Sequence, residues 1–508
     1  MMAAEARTGG VSLDWLLEDL LAESQLTGVD VFGLAADSRR VRPGDLFFAT
    51  RGLQVHGLEY VGQAVARGAV AVLWEPADDH SLGHRVATLP GPAIAVPGLG
   101  YKAGVIADRF YAHPTRHMQV IGVTGTDGKT TVSHFIAQAL SSTGCSCGLL
   151  GTLGYGVYGA LRPPTHTTPD ALRLQSEFAA LRDQAVQQVA MEVSSHALHQ
   201  RRTAGVAFDI AVLTQLSRDH LDYHGSVEAY ADAKRRLFET PGLQAAVLNL
   251  DDGFGRQLAG SLRNRLRIVA CQRNTQGGAR EFADWIELQD VRPLEKGVEL
   301  RLVSSWGEVA FTAPVLGAFS ADNLLVSLGA LLASGLSLQA AVRGLSRVST
   351  VPGRMELFVG RNTPRVVVDY AHTPHALQAA LTALRPHCVG DLVCVFGAGG
   401  DRDQGKRPLM GAVAERLADR VILTSDNPRS EEPDSIIDQI AQGFAQPLSV
   451  ERIPDRTQAI AAALREAHVG DLVLVAGKGH ENYQQVGREQ RPFSDRTKVQ
   501  ELLRGISR

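Results

Sequence analysis

A glycine-rich turn between an apolar strand and a helix is the feature that most constrains the fold of this chain. Residues 118–123 have the pattern of a buried strand, and Gly-Thr-Asp-Gly-Lys-Thr-Thr follows at 125–131. A helix is predicted over about 130–143, with a glycine at its end. Further strands alternate with helices after it, which predicts an α/β domain with a largely parallel sheet.

The residues of this turn have the chemistry of a phosphate-binding loop. Glycines let backbone N–H groups close around phosphate oxygens, and the start of the helix adds its dipole. Lys129 can reach the terminal phosphates, and the Thr130 hydroxyl can bind Mg²⁺. The strict pattern G-x-x-x-x-G-K-[ST] is not met, because Val123 stands five residues before Gly128. The sequence therefore predicts nucleotide binding through a variant loop.

The length of 508 residues predicts about three domains, at roughly 150 residues each. Residues 1–112 mix short strands and helices, whereas 113–348 contain the phosphate loop and a strand-rich stretch at 279–315. Residues 349–508 alternate cleanly between strand and helix, which predicts a second doubly wound domain. The expected fold is α/β, with a small N-terminal domain, a central P-loop-type ATPase with a mostly parallel sheet and a C-terminal Rossmann-like domain.

Charge and hydropathy narrow the functional classes. The formal net charge of −3 gives no basis for binding nucleic acid or an anionic membrane. No apolar run approaches the ~18 residues that a membrane helix needs. The first residues lack the charged flank and apolar core of a signal peptide. We expect a cytoplasmic protein that does not insert into a membrane.

Two segments that follow predicted strands carry candidate metal ligands, because ligands gather at the carboxyl ends of parallel strands. Glu192 ends the strand at 188–193, and a capping or structural role is the alternative to metal binding. His220 lies in Ser-Arg-Asp-His-Leu-Asp-Tyr-His at 217–224. Mg²⁺ prefers oxygen, so histidine is an uncommon ligand, and the pattern alone leaves a site and a structural cluster equally open.

Lysine is rare in this chain, with seven among 51 basic residues. This rarity favours positions for lysine that arginine cannot serve. Lys234 stands on a helix predicted over about 227–238, beside Arg235 and Arg236. On composition alone, a solvated helix face is the favoured interpretation of Lys234.

Together these motifs resemble the Mur ligases of peptidoglycan synthesis, and the resemblance extends over the whole chain. It rests on the loop at 125–131, Glu-Val-Ser-Ser-His at 192–196, Ser-Arg-Asp-His at 217–220 and Ala-Lys at 233–234. The family is implied to have a UDP-binding domain, an ATPase and a Rossmann-like domain, which fit the boundaries above. Its reaction is ATP-dependent amide formation through an acyl phosphate. The pattern is most similar to the members that add the third residue of the stem peptide.

The resemblance implies roles for residues on the phosphate side. Thr130, Glu192, His220 and Lys234 would hold Mg²⁺, with Lys234 carrying a carbamate derived from CO₂. Lys129, Lys234 and His220 would be the catalytic residues. The implied ATP contacts are Gly125, Thr126, Asp127, Gly128, Lys129, Thr130, Thr131, Asn323, Arg354, Asp369 and His372. Asp369 ends a predicted strand, and capping of the next helix is its alternative role.

The resemblance also implies contacts with UDP-MurNAc-L-Ala-D-Glu. The UDP-sugar contacts would be Ser38, Leu53 and Gln54. The stem-peptide contacts would be His166, Thr167, Thr168, Ser194, Gln200 and Arg202. Family members often have asparagine in place of His166, which leaves the contact of this residue open.

The tetrapeptide Asp-Asn-Pro-Arg at 426–429 resembles the motif of the family members that add meso-diaminopimelate, whereas lysine-adding relatives lack the arginine. A guanidinium binds a distal carboxylate in a bidentate fork and repels the ammonium of lysine. By itself, such a tetrapeptide is an ordinary turn. The implied diaminopimelate contacts are Arg402, Asp426, Asn427, Pro428, Arg429, Gly477 and Glu481, where Glu481 suits the distal ammonium.

The expected reaction is therefore the ATP-dependent addition of meso-2,6-diaminopimelate to the D-Glu carboxylate of UDP-MurNAc-L-Ala-D-Glu, by a monomer. Three alternatives are weighed against it. A related ligase, such as a lysine-adding enzyme, MurF or a folylpolyglutamate synthase, would be separated by a panel of substrates. A P-loop kinase would form a stable phosphate ester. A non-catalytic nucleotide-binding regulator would need neither a carbamate on Lys234 nor an arginine at 429.

Overall fold

The computed structural model describes residues 9–21, 28–52, 55–76, 83–164, 166–273 and 278–506. The chain forms two compact units. The first comprises Met1–Ala270, Phe282–Asp284 and Gly329–Leu336, and the second comprises Cys271–Glu281, Trp285–Leu328 and Ser337–Arg508.

The N-terminal part of the first unit contains a small parallel sheet. Its elements are β1 (Val11–Ser12), α1 (Leu13–Leu16), β2 (Asp30–Val31), β3 (Gly33–Ala35), β4 (Asp45–Ala49), α2 (Val61–Ala66), β5 (Ala71–Trp74), α3 (Gly83–Val86), β6 (Ala93–Ala95) and α4 (Leu99–Phe110). The order is β3-β4-β5-β6, and every neighbouring pair is parallel. One face packs Leu46, Phe48 and Leu73 against Ile106 of α4, and this burial fixes the sheet in place.

The rest of the first unit holds the predicted phosphate loop in a larger sheet. Its elements are β7 (Gln119–Thr124), α5 (Lys129–Ser142), β8 (Cys147–Gly151), β9 (Gly154–Val157), α6 (Ala171–Asp183), β10 (Gln188–Glu192), α7 (Ser195–His199), β11 (Ile210–Leu213), α8 (Leu221–His224), α9 (Val227–Phe238), β12 (Ala245–Asn249), α10 (Gly253–Leu262) and β13 (Arg267–Arg273). The order β12-β11-β7-β10-β8 is parallel throughout, and β9 adds antiparallel to β8. The strands are apolar and buried on both faces, as parallel strands require.

The chain passes into the second unit within β13, and most of the elements that follow belong to that unit. They are β14 (Asp284–Leu294), β15 (Gly297–Ser304), β16 (Gly307–Ala313), α11 (Ala318–Ala333), α12 (Leu338–Leu345), β17 (Glu356–Phe358), β18 (Arg365–Asp369), α13 (Pro374–Leu384), β19 (Leu392–Phe396), α14 (Lys406–Leu417), β20 (Arg420–Leu423), α15 (Pro433–Ala441), β21 (Glu451–Arg452), α16 (Arg456–Glu466), β22 (Leu472–Ala476), β23 (Tyr483–Val486), β24 (Glu489–Pro492) and α17 (Asp495–Ile506). Strands β14, β15 and β16 pair antiparallel. The sheet β17-β18-β22-β19-β20-β21 is parallel except at β17.

Most predicted elements agree with the structure, including the strand-rich stretch at 279–315. Two helices differ most from their predicted bounds. The sequence pattern predicts helices over about 323–334 and about 435–444. The structure has α11 over Ala318–Ala333 and α15 over Pro433–Ala441 instead. A proline at the first turn explains the earlier start of α15, because its fixed φ suits that position. Within the described ranges, no helix is long and apolar enough to cross a membrane.

A buried histidine lies in the helix that follows the phosphate loop. His134 of α5 is 3% exposed, and neither ring nitrogen has a hydrogen-bond partner among the described residues. Its ring meets the edge of Tyr158, with centroids 6.0 Å apart. Burial lowers the pKa of His134 to about 4, because a charged imidazole has no compensation there. The folded protein therefore holds this side chain neutral.

We expect His134 to destabilise the fold by about 3 kcal/mol as the pH falls from 6.5 to 4. The unfolded chain protonates the imidazole below its ordinary pKa of 6.5, whereas the folded chain resists until about 4. Each pH unit between these values favours unfolding by about 1.4 kcal/mol. Melting temperatures of wild type and His134→Phe across this range test the effect.

The control for this experiment is His117→Phe, because His117 is exposed and its replacement should leave the pH dependence unchanged. An equal loss of melting temperature in wild type and His134→Phe between pH 6.5 and 4 would contradict the assignment to His134.

Candidate functional site

The phosphate loop leaves β7 and is held from below by residues that follow β11. Gly125 has φ +150°, and a Cβ there would lie 1.8 Å from Thr214 Oγ1, so only glycine fits. The same hydroxyl donates to the carbonyl of Asp127 over 2.6 Å. Gln215 donates from Nε2 to Asp127 Oδ2 over 2.9 Å. The carboxyl ends of two neighbouring strands thus shape the loop together.

The cation of this loop lies over its backbone. Lys129 is the first residue of α5, and its Nζ donates to the carbonyls of Gly125 and Thr126 over 2.9 and 2.8 Å. The preceding Gly128 has φ +84° and forms the N-terminus of the helix. A helix N-terminus with a lysine beside it is suited to bind phosphate oxygens. The geometry therefore agrees with the predicted nucleotide site.

Two predicted metal ligands meet directly at the end of β10. Glu192 is fully buried, and its Oε2 accepts from Thr130 Oγ1 over 2.8 Å. Thr152 donates from its backbone N–H to Oε1 over 2.7 Å and from its hydroxyl to Oε2 over 3.1 Å. A Cβ at Gly151 would lie 2.2 Å from Glu192 Oε1. The result is a compact set of hard oxygen atoms next to the phosphate loop.

Lys234 is buried against the same loop. It is 1% exposed, its Nζ donates to the carbonyl of Gly125 over 2.6 Å, and the Tyr230 ring centroid lies 4.4 Å away. Burial, and then the nearby charge of Lys129, lower the pKa of Lys234 well below its ordinary value. The interpretation as a solvated helix face is wrong, because Tyr230, Lys234 and Leu237 lie on the buried stripe of α9.

His220 lies at the start of α8 with φ +51°. Its side chain is 46% exposed, with Nε2 3.4 Å from Asp219 Oδ2, and its ring centroid is 4.9 Å from that of His196 and 6.0 Å from that of Tyr230. In the part of the chain that the structure describes, no three His, Cys, Asp or Glu side chains form a ready metal site. The structure thus joins Thr130 to Glu192 and places Lys234 on the loop.

Several residues predicted to contact the stem peptide are joined by hydrogen bonds near the end of β10. Thr168 donates from Oγ1 to the carbonyl of Glu192 over 2.8 Å and accepts from the N–H of Ser194 over 3.2 Å. Arg202 donates to the carbonyl of Thr168 over 3.0 Å and, from two nitrogens, to Gln200 Oε1 over 2.9 and 2.6 Å. This network connects the predicted peptide contacts to the backbone carbonyl of Glu192.

The remaining predicted contacts with the UDP substrate are more dispersed. Thr167 Oγ1 lies 3.0 Å from Thr152 Oγ1, which brings it close to Glu192. His166 is held through its backbone, since its N–H donates to Tyr155 OH over 3.0 Å. Ser38 donates to Gln63 Oε1 over 2.6 Å within the N-terminal part. Leu53 and Gln54 lie outside the described residues.

In the second unit, two segments predicted to bind the amino acid form a buried cluster. Asn427 donates from Nδ2 to Glu481 Oε2 over 2.8 Å. The fully buried Lys478 donates from Nζ to Asn427 Oδ1 over 2.9 Å and to Glu481 Oε2 over 3.0 Å. Both of the bonds to Glu481 fall on its Oε2. Its Oε1 takes part in neither of these two bonds.

Asp426 and Gly477 also meet in this cluster, at the ends of β20 and β22. A Cβ at Gly477, where φ is +117°, would lie 2.4 Å from Asp426 Oδ2, so glycine is required for the close approach. The N–H of Gly477 donates to the carbonyl of Asp369 over 3.1 Å. The structure therefore brings the carboxyl ends of β18, β22 and β20 close together, with β19 between β22 and β20 in the sheet.

Arg429 is fixed by both its backbone and its guanidinium. Its φ is +51°, its N–H donates to the carbonyl of Gln485 over 3.0 Å, and its carbonyl accepts from the N–H of Gly487 over 2.6 Å. The guanidinium donates from Nη1 to the carbonyl of Gly400 over 2.6 Å. Arg402 lies exposed two residues after Gly400. Arg429 is thus presented from a rigid turn.

The predicted nucleotide contacts of the second unit lie around Asp369. Its Oδ2 accepts from the N–H of Met355 over 2.7 Å and its Oδ1 from that of Ala371 over 2.8 Å. Burial raises the pKa of Asp369. The alternative that Asp369 caps α13 is wrong, because Thr373 supplies that cap by accepting from the N–H of Ala376 over 3.2 Å.

Aromatic and cationic groups surround this carboxylate. The Arg354 guanidinium lies 4.7 Å from the Tyr370 ring centroid, and the His372 ring lies 4.7 Å from that ring on another side. A Cβ at Gly353, where φ is +67°, would lie 2.1 Å from the backbone N of His480. The turn before Arg354 therefore packs backbone to backbone on the segment that leads to Glu481.

Asn323 is half-buried in α11, and its carbonyl accepts from Ser327 Oγ over 2.6 Å.

Comparison with known proteins decides the family. The chain matches the Mur ligase middle domain at residues 123–331, the Mur ligase, glutamate ligase domain at 353–479, and the catalytic domain of the Mur ligase family at 30–95. The UDP-N-acetylmuramoyl-L-alanyl-D-glutamate–2,6-diaminopimelate ligase of Alkalilimnicola ehrlichii is 52% identical over 482 residues, which are 93% of this chain and 95% of the relative. The chain belongs to the Mur ligase family.

Other Mur ligases support the same assignment. The ligase of the same name from Coxiella burnetii is 46% identical over 96% of this chain and 99% of its own. A solved structure of a ligase of this name is 35% identical, with a TM-score of 0.74 over 98% of this chain and 100% of that chain. MurF from Acinetobacter baumannii shares the fold at 16% identity, with a TM-score of 0.64 over 99% of this chain and 100% of that chain. The chain is therefore an ATP-dependent ligase with the three-domain α/β Mur ligase fold and mostly parallel sheets.

Sequence reasoning missed three residues that shape the sites of this Mur ligase. Thr214 supports Gly125, Tyr230 covers the Lys234 amine, and Lys478 joins Asn427 to Glu481. Lys478 carried a usable signal, since it is one of seven lysines in an arginine-rich chain. Thr214 and Tyr230 carried none, because their roles depend on how β11 and α9 pack.

Proposed function

We propose that this Mur ligase joins meso-2,6-diaminopimelate to the D-Glu carboxylate of UDP-MurNAc-L-Ala-D-Glu at the expense of ATP. The hydrogen bond between Asn427 and Glu481 carries the choice of amino acid. This bond joins the segment that contains Arg429 to Glu481. Arg429 would bind the distal carboxylate of diaminopimelate, and Glu481 would bind its distal ammonium. Relatives of 46 to 52% identity over nearly the whole chain bear the name of this reaction.

The chemistry proceeds in two steps. An oxygen of the D-Glu carboxylate attacks the γ-phosphorus of ATP, ADP leaves, and an acyl phosphate forms. The amine of diaminopimelate then adds to the acyl carbon and loses a proton, and phosphate departs with the electrons of the broken C–O bond. Phosphoryl transfer of this kind needs positioning and charge neutralisation more than covalent help.

The phosphate loop supplies both requirements. The N-terminus of α5 and Lys129 would bind the β- and γ-phosphates, and the loop at 125–131 would enclose them. Lys129 now donates to two loop carbonyls, so it can exchange these bonds for phosphate oxygens. Asn323, Arg354, Asp369 and His372 would contact the rest of the nucleotide, with the Asp369 carboxylate as a ligand for the ribose.

Mg²⁺ fits the oxygen atoms at the end of β10. The buried Glu192 carboxylate and the Thr130 hydroxyl are hard ligands of the type that this ion prefers. When bound, Mg²⁺ would neutralise charge on the phosphoryl group in transfer. We propose Thr130, Glu192, His220 and a carbamylated Lys234 as the residues that hold it.

The environment of Lys234 supports carbamylation. Carbamates form when an uncharged amine adds to CO₂ and loses a proton, and the lowered pKa of Lys234 favours the uncharged amine. The product retains one N–H, which can still donate to the carbonyl of Gly125. It also places an anion beside the cation of Lys129, whereas an ammonium at Lys234 would form an unfavourable charge pair there.

For the peptide substrate, we propose contacts from Thr167, Thr168, Ser194, Gln200 and Arg202, with Ser38, Leu53 and Gln54 on the UDP-sugar. The support is the hydrogen-bond network that joins Arg202 and Gln200 through Thr168 to Glu192. Peptide contacts at these residues would lie beside the proposed metal site, where the carboxylate must meet the γ-phosphate. His166 would contact the substrate through its own backbone or side chain.

The amino acid would bind in the second unit between oppositely charged side chains. Arg429 and Arg402 would bind carboxylates of the amino acid, and Glu481 would bind the distal ammonium through its Oε1. Asp426, Asn427, Pro428 and Gly477 would complete the site. We also propose that the domains divide near residues 112 and 348, and that a cytoplasmic monomer carries out the reaction.

Phosphate release from ATP tests the proposal most directly. With UDP-MurNAc-L-Ala-D-Glu present, we expect release with meso-diaminopimelate, together with a product of the tripeptide mass. We expect little or no release with L-lysine or without an amino acid. Release with lysine instead would keep the ligase and reject the role of Arg429, and release with neither would point to a different acceptor.

A further inference from the structure

We infer that Arg407 and Glu431, neither of them expected from the sequence, are positioning residues that orient Arg429 and so set the selectivity for an amino acid with a distal carboxylate. The inference rests on the proposed function. Arg407 is fully buried in α14. It cannot touch a substrate, and any effect on catalysis must pass through its neighbours.

The two residues form a bidentate ion pair. Arg407 donates from Nη1 to Glu431 Oε2 over 2.7 Å and from Nη2 to Oε1 over 2.9 Å. The guanidinium holds the pKa of Glu431 down at about 2, so the carboxylate stays charged throughout the working range. Arg407 also donates to Gln439 Oε1 over 2.8 Å and to the carbonyl of Gly399 over 3.1 Å.

Through this pair, the loop at 399–401 is closed against the turn that contains Arg429. Glu431 Oε1 accepts from the N–H of Asp401 over 2.6 Å, and the N–H of Glu431 donates to the carbonyl of Pro428 over 3.0 Å. The Asp401 carboxylate in turn accepts from the hydroxyl and the N–H of Ser430. Ser430 and Glu431, the two residues that follow Arg429, are thus anchored to one loop.

The same loop orients the guanidinium of Arg429. The carbonyl of Gly399 accepts from Arg407, and the next carbonyl, that of Gly400, accepts from Arg429 Nη1 over 2.6 Å. A Cβ at Gly400 would lie 1.9 Å from the carbonyl oxygen of Pro428. The loop at 399–401 and the turn that contains Arg429 are therefore in direct backbone contact. Loss of the ion pair would free the loop, and Arg429 would lose the fixed direction that a bidentate contact requires.

Glu431→Gln tests the inference, because it keeps the shape and removes the charge. We expect the KM for diaminopimelate to rise about tenfold or more, as for the loss of a hydrogen bond to a charged group. The ratio of kcat/KM for diaminopimelate over lysine should fall by a similar factor. The KM for ATP should stay within about twofold of the wild-type value. Arg407→Lys should have the same effects as Glu431→Gln.

Two further measurements separate positioning from general loss of stability. In an Arg429→Ala background, Glu431→Gln should cause little additional change, because both act through one guanidinium. Arg452→Met is the matched control, since Arg452 pairs with Asp438 on α15 and has no bond to the loop at 399–401. Its ratio of diaminopimelate to lysine use should equal that of wild type.

The results separate the proposed function from the positioning role of Arg407 and Glu431. If the wild-type enzyme does not add diaminopimelate, the proposed function is wrong. If wild type adds it and Glu431→Gln keeps the full discrimination against lysine, the positioning role alone is rejected. Additive effects of Glu431→Gln and Arg429→Ala would also reject it.

Discussion

Replacement of Lys234 with alanine is expected to reduce ligase activity by at least a factor on the order of 10²–10³, the range for loss of one preorganised electrostatic group. The amine is buried under the phosphate loop and donates to Gly125. Without it, the proposed carbamate cannot form, and the oxygen set at Glu192 loses a member. We expect short carboxylic acids, such as acetate, to restore part of the activity by occupying the vacated space.

The control for this substitution is its neighbour on α9. Arg235 is 24% exposed and paired with Asp232 at the surface, so Arg235→Ala should keep nearly full activity. Protein equilibrated with ¹³C-labelled bicarbonate should show a carbamate carbon signal that is absent in Lys234→Ala. Equal activity of Lys234→Ala and wild type would reject the carbamate, as would the absence of this signal from active wild-type enzyme.

Replacement of Arg429 with lysine is expected to lower kcat/KM for diaminopimelate by about 10²-fold, because a bidentate contact with a carboxylate is lost. The positive φ of this residue is tolerated alike by both side chains, so the backbone of the turn is not the cause. Binding of ATP alone should be unaffected, since Arg429 is not among the proposed nucleotide contacts. Initial rates with varied diaminopimelate and nucleotide titrations measure the two effects.

Arg491→Lys provides the matched control for this second substitution. Arg491 lies on β24, is 59% exposed and pairs with Glu489. Its replacement should therefore change neither kcat/KM for diaminopimelate nor the binding of ATP. An unchanged rate of Arg429→Lys with diaminopimelate would remove Arg429 from the amino-acid site.

The sheets could be predicted from the sequence because parallel strands leave long apolar runs between glycine-rich turns. One example is the apolar run at 245–249, which predicts a strand and forms β12. The phosphate loop could be predicted as well, since its chemistry lies in one continuous segment. For Glu192, the sequence predicts only that it lies at the carboxyl end of a parallel strand, where ligands gather.

The burial of charged side chains could not be predicted from the sequence. Lys234 looks like its neighbours Arg235 and Arg236 in composition, and only the packing of α9 turns it inward. The burial of Arg407 in the second unit could not be predicted either, because arginine is the ordinary surface cation of this chain. The family resemblance identified Lys234, but it gave no role for Arg407, because partners 24 residues apart in sequence form that ion pair.

The backbone contact between Gly353 and the segment at 479–480 has a consequence for substrate order. The turn before Arg354 and the turn before Glu481 have no side chain between them, so one cannot shift without the other. A nucleotide that immobilises the first turn lowers the entropic cost of immobilising the second. We therefore expect ATP and the amino acid to tighten each other's binding, and thermodynamic reciprocity requires the two enhancement factors to be equal.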